Sequence, residues 1–369
     1  MKEKMMTRLA PALTLAFVIG TPALAENAHL RAALSVLPDT VFSGLSPDIA
    51  RYLDLSALAE AHDGTLERGA MSRAQLGSDI RPAEALILGT PEGFSEKAGI
   101  DSAALAFLAS VGQPPDAVSL WGFAEQDAAS AAFSGLTERG FVEMPSKMMA
   151  NGEPGVIDIA SLDPADPWRG PMGQASVVAL SGPALLQAGD ATVLEPFLPD
   201  RPSALDTAAG KTILDVLEAQ EGTVLQAAFI GPWHGLSSID PAIFTGKPRD
   251  EAQAALEQAV ATASGGLPLW QGAALADVET AGKPVLLIAL AYATCPEAQA
   301  AAEGAAELWG GMDGTAEDVV ESSVRQPAPS GCAAILHVTH PNGTPRPFTH
   351  ATRGLLSGKL PALRIGSGS

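Results

Sequence analysis

The chemistry of this 369-residue chain is easiest to state for its two cysteines, Cys295 and Cys332. An even, minimal count favours a single disulfide wherever the surroundings are oxidising. Such a bond would close a loop of 37 residues, worth roughly 3 to 4 kcal/mol on chain-entropy grounds. A reactive thiol is the alternative. Cys295 precedes Pro296 at the start of a predicted helix, where the helix dipole would lower its pKa. No C-x-x-C partner supports dithiol exchange, so the structural disulfide Cys295–Cys332 is the expectation.

Among six histidines the one cluster is His337, His340 and His350. Imidazoles suit zinc or copper. On a strand over 333–338, however, alternation sends positions 337 and 340 to opposite faces, and Pro341 and Gly343 would have to bend the chain before both could meet one ion. Loop histidines are the expected reading, with metal binding through these three as the alternative. No other cofactor is implied.

Asp163 and Asp166 are spaced like an acid–base pair, but each is followed by proline (Pro164, Pro167), which points to turns. Ala209-Gly210-Lys211-Thr212 ends like a phosphate loop, yet the first glycine of that motif would fall at Leu205. The chain contains no G-x-S-x-G elbow, no H-E-x-x-H helix, no calcium loop and no C-x-x-C-H haem attachment. Catalysis is therefore not expected, and a hydrolase-type enzyme with a site built from scattered residues is the alternative. What remains is a set of loops carrying Trp168-Arg169, Trp233-His234 and Trp270. Aromatics on loops of a rigid scaffold are common recognition devices, although they also anchor cores.

These residues must be positioned by a fold, and the chain opens with a segment that does not belong to one. Lys2, Lys4 and Arg8 precede an apolar stretch, Leu9 to Gly20, and Ala23-Leu24-Ala25 reads as a cleavage signal. Residues 1–25 are read as a signal peptide, which puts the chain in a bacterial periplasm or outside the cell, with no membrane insertion after cleavage. Cutting these 25 of 369 residues leaves 344, and removing Lys2, Lys4, Arg8 and Glu3 takes the formal charge from −20 to −22. A field of that sign repels a phosphate backbone, and nucleic acid is excluded as a partner.

The predicted fold class is α+β, built as two related strand–helix–strand repeats. Val118–Phe123 followed by a helix over 125–139 resembles Val285–Leu290 followed by a helix over 296–309. Each is succeeded by a Pro/Gly-rich passage, an apolar strand (Ser176–Leu180, Ala333–Val338) and a short helix. The strand pair proposed to open the repeats is Glu84–Gly89 and Thr223–Gly231. Each repeat is expected to be a small sheet with helices on one face. The resulting divisions are the signal peptide 1–25, an N-terminal region 26–81 packed on the first repeat and helical over 49–61, a first repeat 82–201, a connecting helix within 202–222, and a second repeat 223–369. The expected function is binding, of a small ligand between the halves or of a protein partner.

Overall fold

The computed structural model describes residues 27–42, 46–237, 240–243, 246–263, 265–327 and 331–366, so the expected signal peptide lies outside the described residues. The first part of the chain forms α1 (Ala28–Val36), β1 (Ile49–Asp54), α2 (Leu55–Glu60), α3 (Arg68–Arg73), α4 (Arg81–Leu88) and α5 (Pro91–Ala98). It continues with β2 (Leu105–Val111), β3 (Val118–Phe123), α6 (Gln126–Gly135), β4 (Val142–Glu143), β5 (Met149–Ala150), β6 (Val177–Ser181) and β7 (Ala184–Ala188). The second part forms α7 (Ala208–Glu218), β8 (Thr223–Ile230), α8 (Arg249–Thr262), β9 (Gly272–Thr280) and β10 (Lys283–Tyr292). After these come α9 (Cys295–Gly310), β11 (Val319–Arg325), β12 (Cys332–Thr339) and α10 (Arg346–Leu356).

Several elements follow from their residues as expected. The run Val-Ser-Leu-Trp-Gly-Phe is buried along its whole length as β3. The helical stretch after it runs through α6 and a 3₁₀ turn to Gly140, which stops it at φ 80°, where a side chain would be strained. At the start of α9, Thr294 caps the helix by accepting from the Glu297 amide, and Pro296 occupies the first turn, where its missing N–H costs nothing.

Among the described residues, twelve strands form one antiparallel sheet, in the order β11-β12-β10-β9-β8-β1-β2-β3-β7-β6-β5-β4. The expected pair of separate small sheets is therefore corrected to one continuous sheet, closed at its middle by β1 against β8, with Tyr52 opposite Ala227. Reading outward from that seam, β1-β2-β3-β7-β6 and β8-β9-β10-β12-β11 have the same connectivity. Helices lie on both faces rather than one. Leu34 of α1 and Ile213 and Leu217 of α7 pack on the face carrying Ala50, Tyr52, Phe107, Phe229 and Ala289. The opposite face is covered by α2 to α6 around Trp121 and Leu185, and by α8 to α10 around Leu275, Ile288 and Leu336.

Two segments depart from expectation. Glu84–Gly89, read as the opening strand of the first repeat, lies mostly in α4. Pro82 stands in the first turn of that helix, and Pro82, Ala83, Ala85 and Leu86 are its buried residues. Residues 49–61, read as a helix, divide at Asp54. Ile49–Asp54 is fully buried β1, and Asp54 Oδ1 then accepts from Ala57 N at 2.8 Å to cap α2. The N-terminal region 26–81 thus supplies the sheet's central strand instead of packing beside a finished repeat. Within 202–222 the chain forms α7.

Candidate functional site

The central strand β1 carries Arg51 in an otherwise apolar run, on the face opposite Ala50 and Tyr52. It is only 5% exposed. Its Nη1 donates to Ile49 O at 3.2 Å, and its Nε lies 3.1 Å from Asp79 Oδ2, at ion-pair distance but without hydrogen-bond alignment. Burial pulls the Arg51 pKa down, and Asp79 opposes that. Ser110, opposite Arg51 on β2, donates to Asp79 O at 3.3 Å and so ties the turn to the sheet.

Arg81 opens α4 beside it. Its Nη1 is 3.4 Å from both Trp168 O and Ser176 Oγ. Burial lowers its pKa as well, with Asp166 and Glu84 acting only at longer range in the other direction. Gln187 on β7 holds the surrounding wall. It accepts from Trp121 Nε1 at 2.9 Å and donates to Pro167 O and Ser176 Oγ, each at 2.8 Å.

Between these groups is a cleft of about 460 Å³, within the size range of small-molecule sites. Asp79, Glu84, Ser119 and Gln187 line it together with the two arginines, the β2–β3 turn contributes Gln113, Pro114 and Pro115, the loop before β6 contributes Met172 and Gln174, and α10 contributes Leu356. The Glu84 carboxyl is held above its usual pKa by burial, with Asp79 adding to the shift and Arg81 opposing it. Two guanidiniums, two carboxylates and several amides facing apolar surface can orient a polar or charged small molecule. Among the described residues that line the cleft there is no histidine or cysteine.

The loop predicted to bind takes part mainly as scaffold. Trp168 is buried, stacked on Trp121 at 4.3 Å and 7° and edge-on to Phe141, and its Nε1 donates to Ala98 O at 2.9 Å. Arg169 donates to Asn151 O at 2.7 Å and to Ser161 Oγ at 3.2 Å. Trp270 is also buried, donating to Leu363 O at 3.1 Å, and lines a separate hollow of about 530 Å³ beside Thr207 and Leu256. Trp233 packs partly buried on the second-half core. His234, next to it, has its Nε2 buried without a hydrogen-bond partner and its pKa lowered by burial. The five residues therefore do not converge on one site.

The C-terminal histidines are likewise separated. His337 faces the α7 side, 2.6 Å from Gln220 Oε1, in a hollow of about 580 Å³. His340 is buried on the other face, 3.0 Å from Asp318 Oδ1, and Asp318 also accepts from Trp309 Nε1. His350 meets the edge of Trp309 at 6.0 Å. Among the described residues, no group of three or more His, Cys, Asp or Glu side chains could hold a metal ion.

The cysteine pair is at disulfide distance, its Cα atoms 5.0 Å apart, joining the start of α9 to the start of β12. Asp163 and Asp166 bond the turn amides of Ala165 and of Trp168 and Arg169. Lys211 follows the Thr207 cap of α7 and reaches Asp206 O at 3.4 Å. Sequence reading passed over Arg51, Arg81, Glu84 and Gln187. The available signal was a polar residue inside an apolar strand run, at Arg51 in Ile-Ala-Arg-Tyr-Leu and at Gln187 in Ala-Leu-Leu-Gln-Ala.

Among the described residues no helix is long and apolar enough to cross a membrane. No protein-family model matches the chain, and no curated protein sequence matches it. The chain is similar to a solved structure of TP0453 (crystal form IV) at 12% identity, over 88% of this chain and 98% of that one, with a TM-score of 0.34, a likeness too slight to bear on fold or function.

Proposed function

We propose that the protein is an exported binding protein whose small ligand occupies the cleft beside Arg51 and Arg81. The observation that carries this reading is the cleft itself: about 460 Å³, bordered by buried polar groups that converge on it and by apolar side chains of Pro114, Pro115, Met172 and Leu356. Export rests on the leader-like residues 1–25 and agrees with a cysteine pair at disulfide distance. We further propose that the halves descend from one duplicated unit, a reading supported by their shared strand connectivity.

Native mass spectrometry of protein purified from its own cell envelope tests the function. The expected result is a bound small molecule that is lost when Ala117→Trp plugs the cleft. Protein that is bare in every preparation, or a ligand retained by the plugged variant, would overturn it. Amino-terminal sequencing of the exported chain should begin at Glu26.

A further inference from the structure

Arg81 is an incompletely satisfied cation. Its two hydrogen bonds are both 3.4 Å long and both go to neutral oxygens, Trp168 O and Ser176 Oγ. Among the described residues no carboxylate lies at ion-pair distance from it, whereas Arg51, across the cleft, has Asp79 at 3.1 Å. Arg81 is partly buried and lines the cleft, and a charge-assisted bond to an incoming anion is stronger than a bond to a neutral oxygen. Glu84 stands three residues along α4 without closing the pair; burial raises its pKa, Asp79 adds to the shift, and Arg81 only opposes it.

We infer that the cleft takes small monocarboxylates as a class, the ligand carboxylate completing the pair with Arg81 and its apolar body resting on Pro114, Pro115, Met172 and Leu356. The inference rests on the cleft being the binding site proposed above. A planar guanidinium matches a carboxylate through two parallel N–H···O bonds. One unpaired cation calls for one negative charge. Asp79 and Glu84 line the same cleft, so a phosphate dianion would meet two carboxylates for a single free guanidinium. Gln113 and Gln174 supply amides for any further polar group the ligand carries.

The test uses the purified full-length chain at low ionic strength, with acetate, hexanoate, decanoate and benzoate each titrated against its own primary amide, and inorganic phosphate as a further probe. At least one carboxylate is expected to bind about tenfold or more tightly than its amide, the range of a charge-assisted hydrogen bond. Arg81→Gln should abolish that preference and Arg81→Lys should retain only part of it. Because Arg81 variants risk misfolding, Leu356→Glu gives an independent arm. Leu356 is 56% exposed, so the change leaves the core alone while setting a negative charge at the cleft. It should weaken carboxylate binding by a clearly larger factor than amide binding, since the amide loses only the apolar contact while the carboxylate also meets a like charge. Equal affinity for acid and amide, tighter binding of phosphate, or a neutral ligand found by mass spectrometry would overturn the carboxylate assignment and leave the binding function standing. A bare protein that no probe stabilises would remove both.

Discussion

The contact most worth breaking lies between the helical segment after β1 and the strands of the second half. Arg73, the last residue of α3, grips Asp277 of β9 with two bonds, Nη2 to Oδ1 at 2.9 Å and Nε to Oδ2 at 3.1 Å, and its Nη1 also reaches Glu279. Asp277 is fully buried. Gln226 of β8 completes the cluster, donating to Asp277 Oδ2 at 3.1 Å and to Arg73 O at 2.7 Å while accepting from Leu76 N at 3.1 Å. Replacing Arg73 by Met removes the cation and leaves the buried Asp277 carboxyl with one amide for a partner. Stranding one member of a buried pair costs about 3–5 kcal/mol, and that is the expected loss. Adding Asp277→Leu to the same chain removes the stranded carboxyl as well, so the double variant should be more stable than the sum of the single losses predicts, by about 2–3 kcal/mol. Urea unfolding followed by tryptophan fluorescence gives both numbers. Additivity within about 0.5 kcal/mol, or a loss below about 1 kcal/mol for Arg73→Met, would show that the cluster is not coupled as described.

His29 Nδ1 lies 3.2 Å from Asp54 Oδ2, and this hydrogen bond outweighs burial to raise the His29 pKa. Its stabilising contribution should be complete below the unfolded value of about 6.5 and lost as pH rises through the higher folded one; an imidazole titrating by NMR at or below about 6.5 would refute this. Cys295→Ser with Cys332→Ser should lower stability by roughly 3 to 4 kcal/mol in denaturant titrations under oxidising conditions, given the separation of 37 residues. Trp168→Ala, which empties the stack on Trp121, should cost about 3–5 kcal/mol whether or not ligand is present. A variant with unchanged stability but no ligand binding would make Trp168 a contact residue instead. Glu84→Gln removes a negative charge from the cleft and should tighten carboxylate binding about two- to fivefold, the reach of a partly exposed charge pair, as measured by calorimetry at fixed low salt.

The strands at 118–123, 223–230, 283–292 and 332–339 were legible because long apolar runs between turn residues have few other fates. Ala-Leu-Ile-Leu at 85–88 has the same composition, and the proline two residues before Glu84, rather than the apolar run, decides for a helix. Leu53, Leu55 and Leu58 share helical spacing only because a strand and a helix meet at Asp54. The site was less legible for a different reason. Arg51 and Arg81 stand in separate elements, joined by no motif, and the turn between α3 and α4 brings them together.

That turn also accounts for the difference between the surroundings of Arg51 and those of Gln226. Around the Tyr52–Ala227 pair at the seam, the registers give Arg51 and Gln226 matching places, each opposite a polar residue on the next strand outward, Ser110 for Arg51 and Asp277 for Gln226. The single segment from Arg73 to Asp79 crosses the seam and touches both places. At its start Arg73 and the Leu76 amide bind Gln226 and Asp277, and at its end Asp79 meets Arg51 and Ser110. One segment cannot present the same groups to two related positions. On the second half it brings a cation that Asp277 and Glu279 neutralise, and the place is filled. On the first half it brings an acid that pairs Arg51 and then turns into α4, so that Arg81 enters the neighbouring space with no carboxylate at ion-pair distance among the described residues. The mirrored strand order therefore creates two corresponding polar positions, and the asymmetric crossing of residues 73–79 turns one into a buried ion-pair lock and leaves the other bordering the cleft of about 460 Å³.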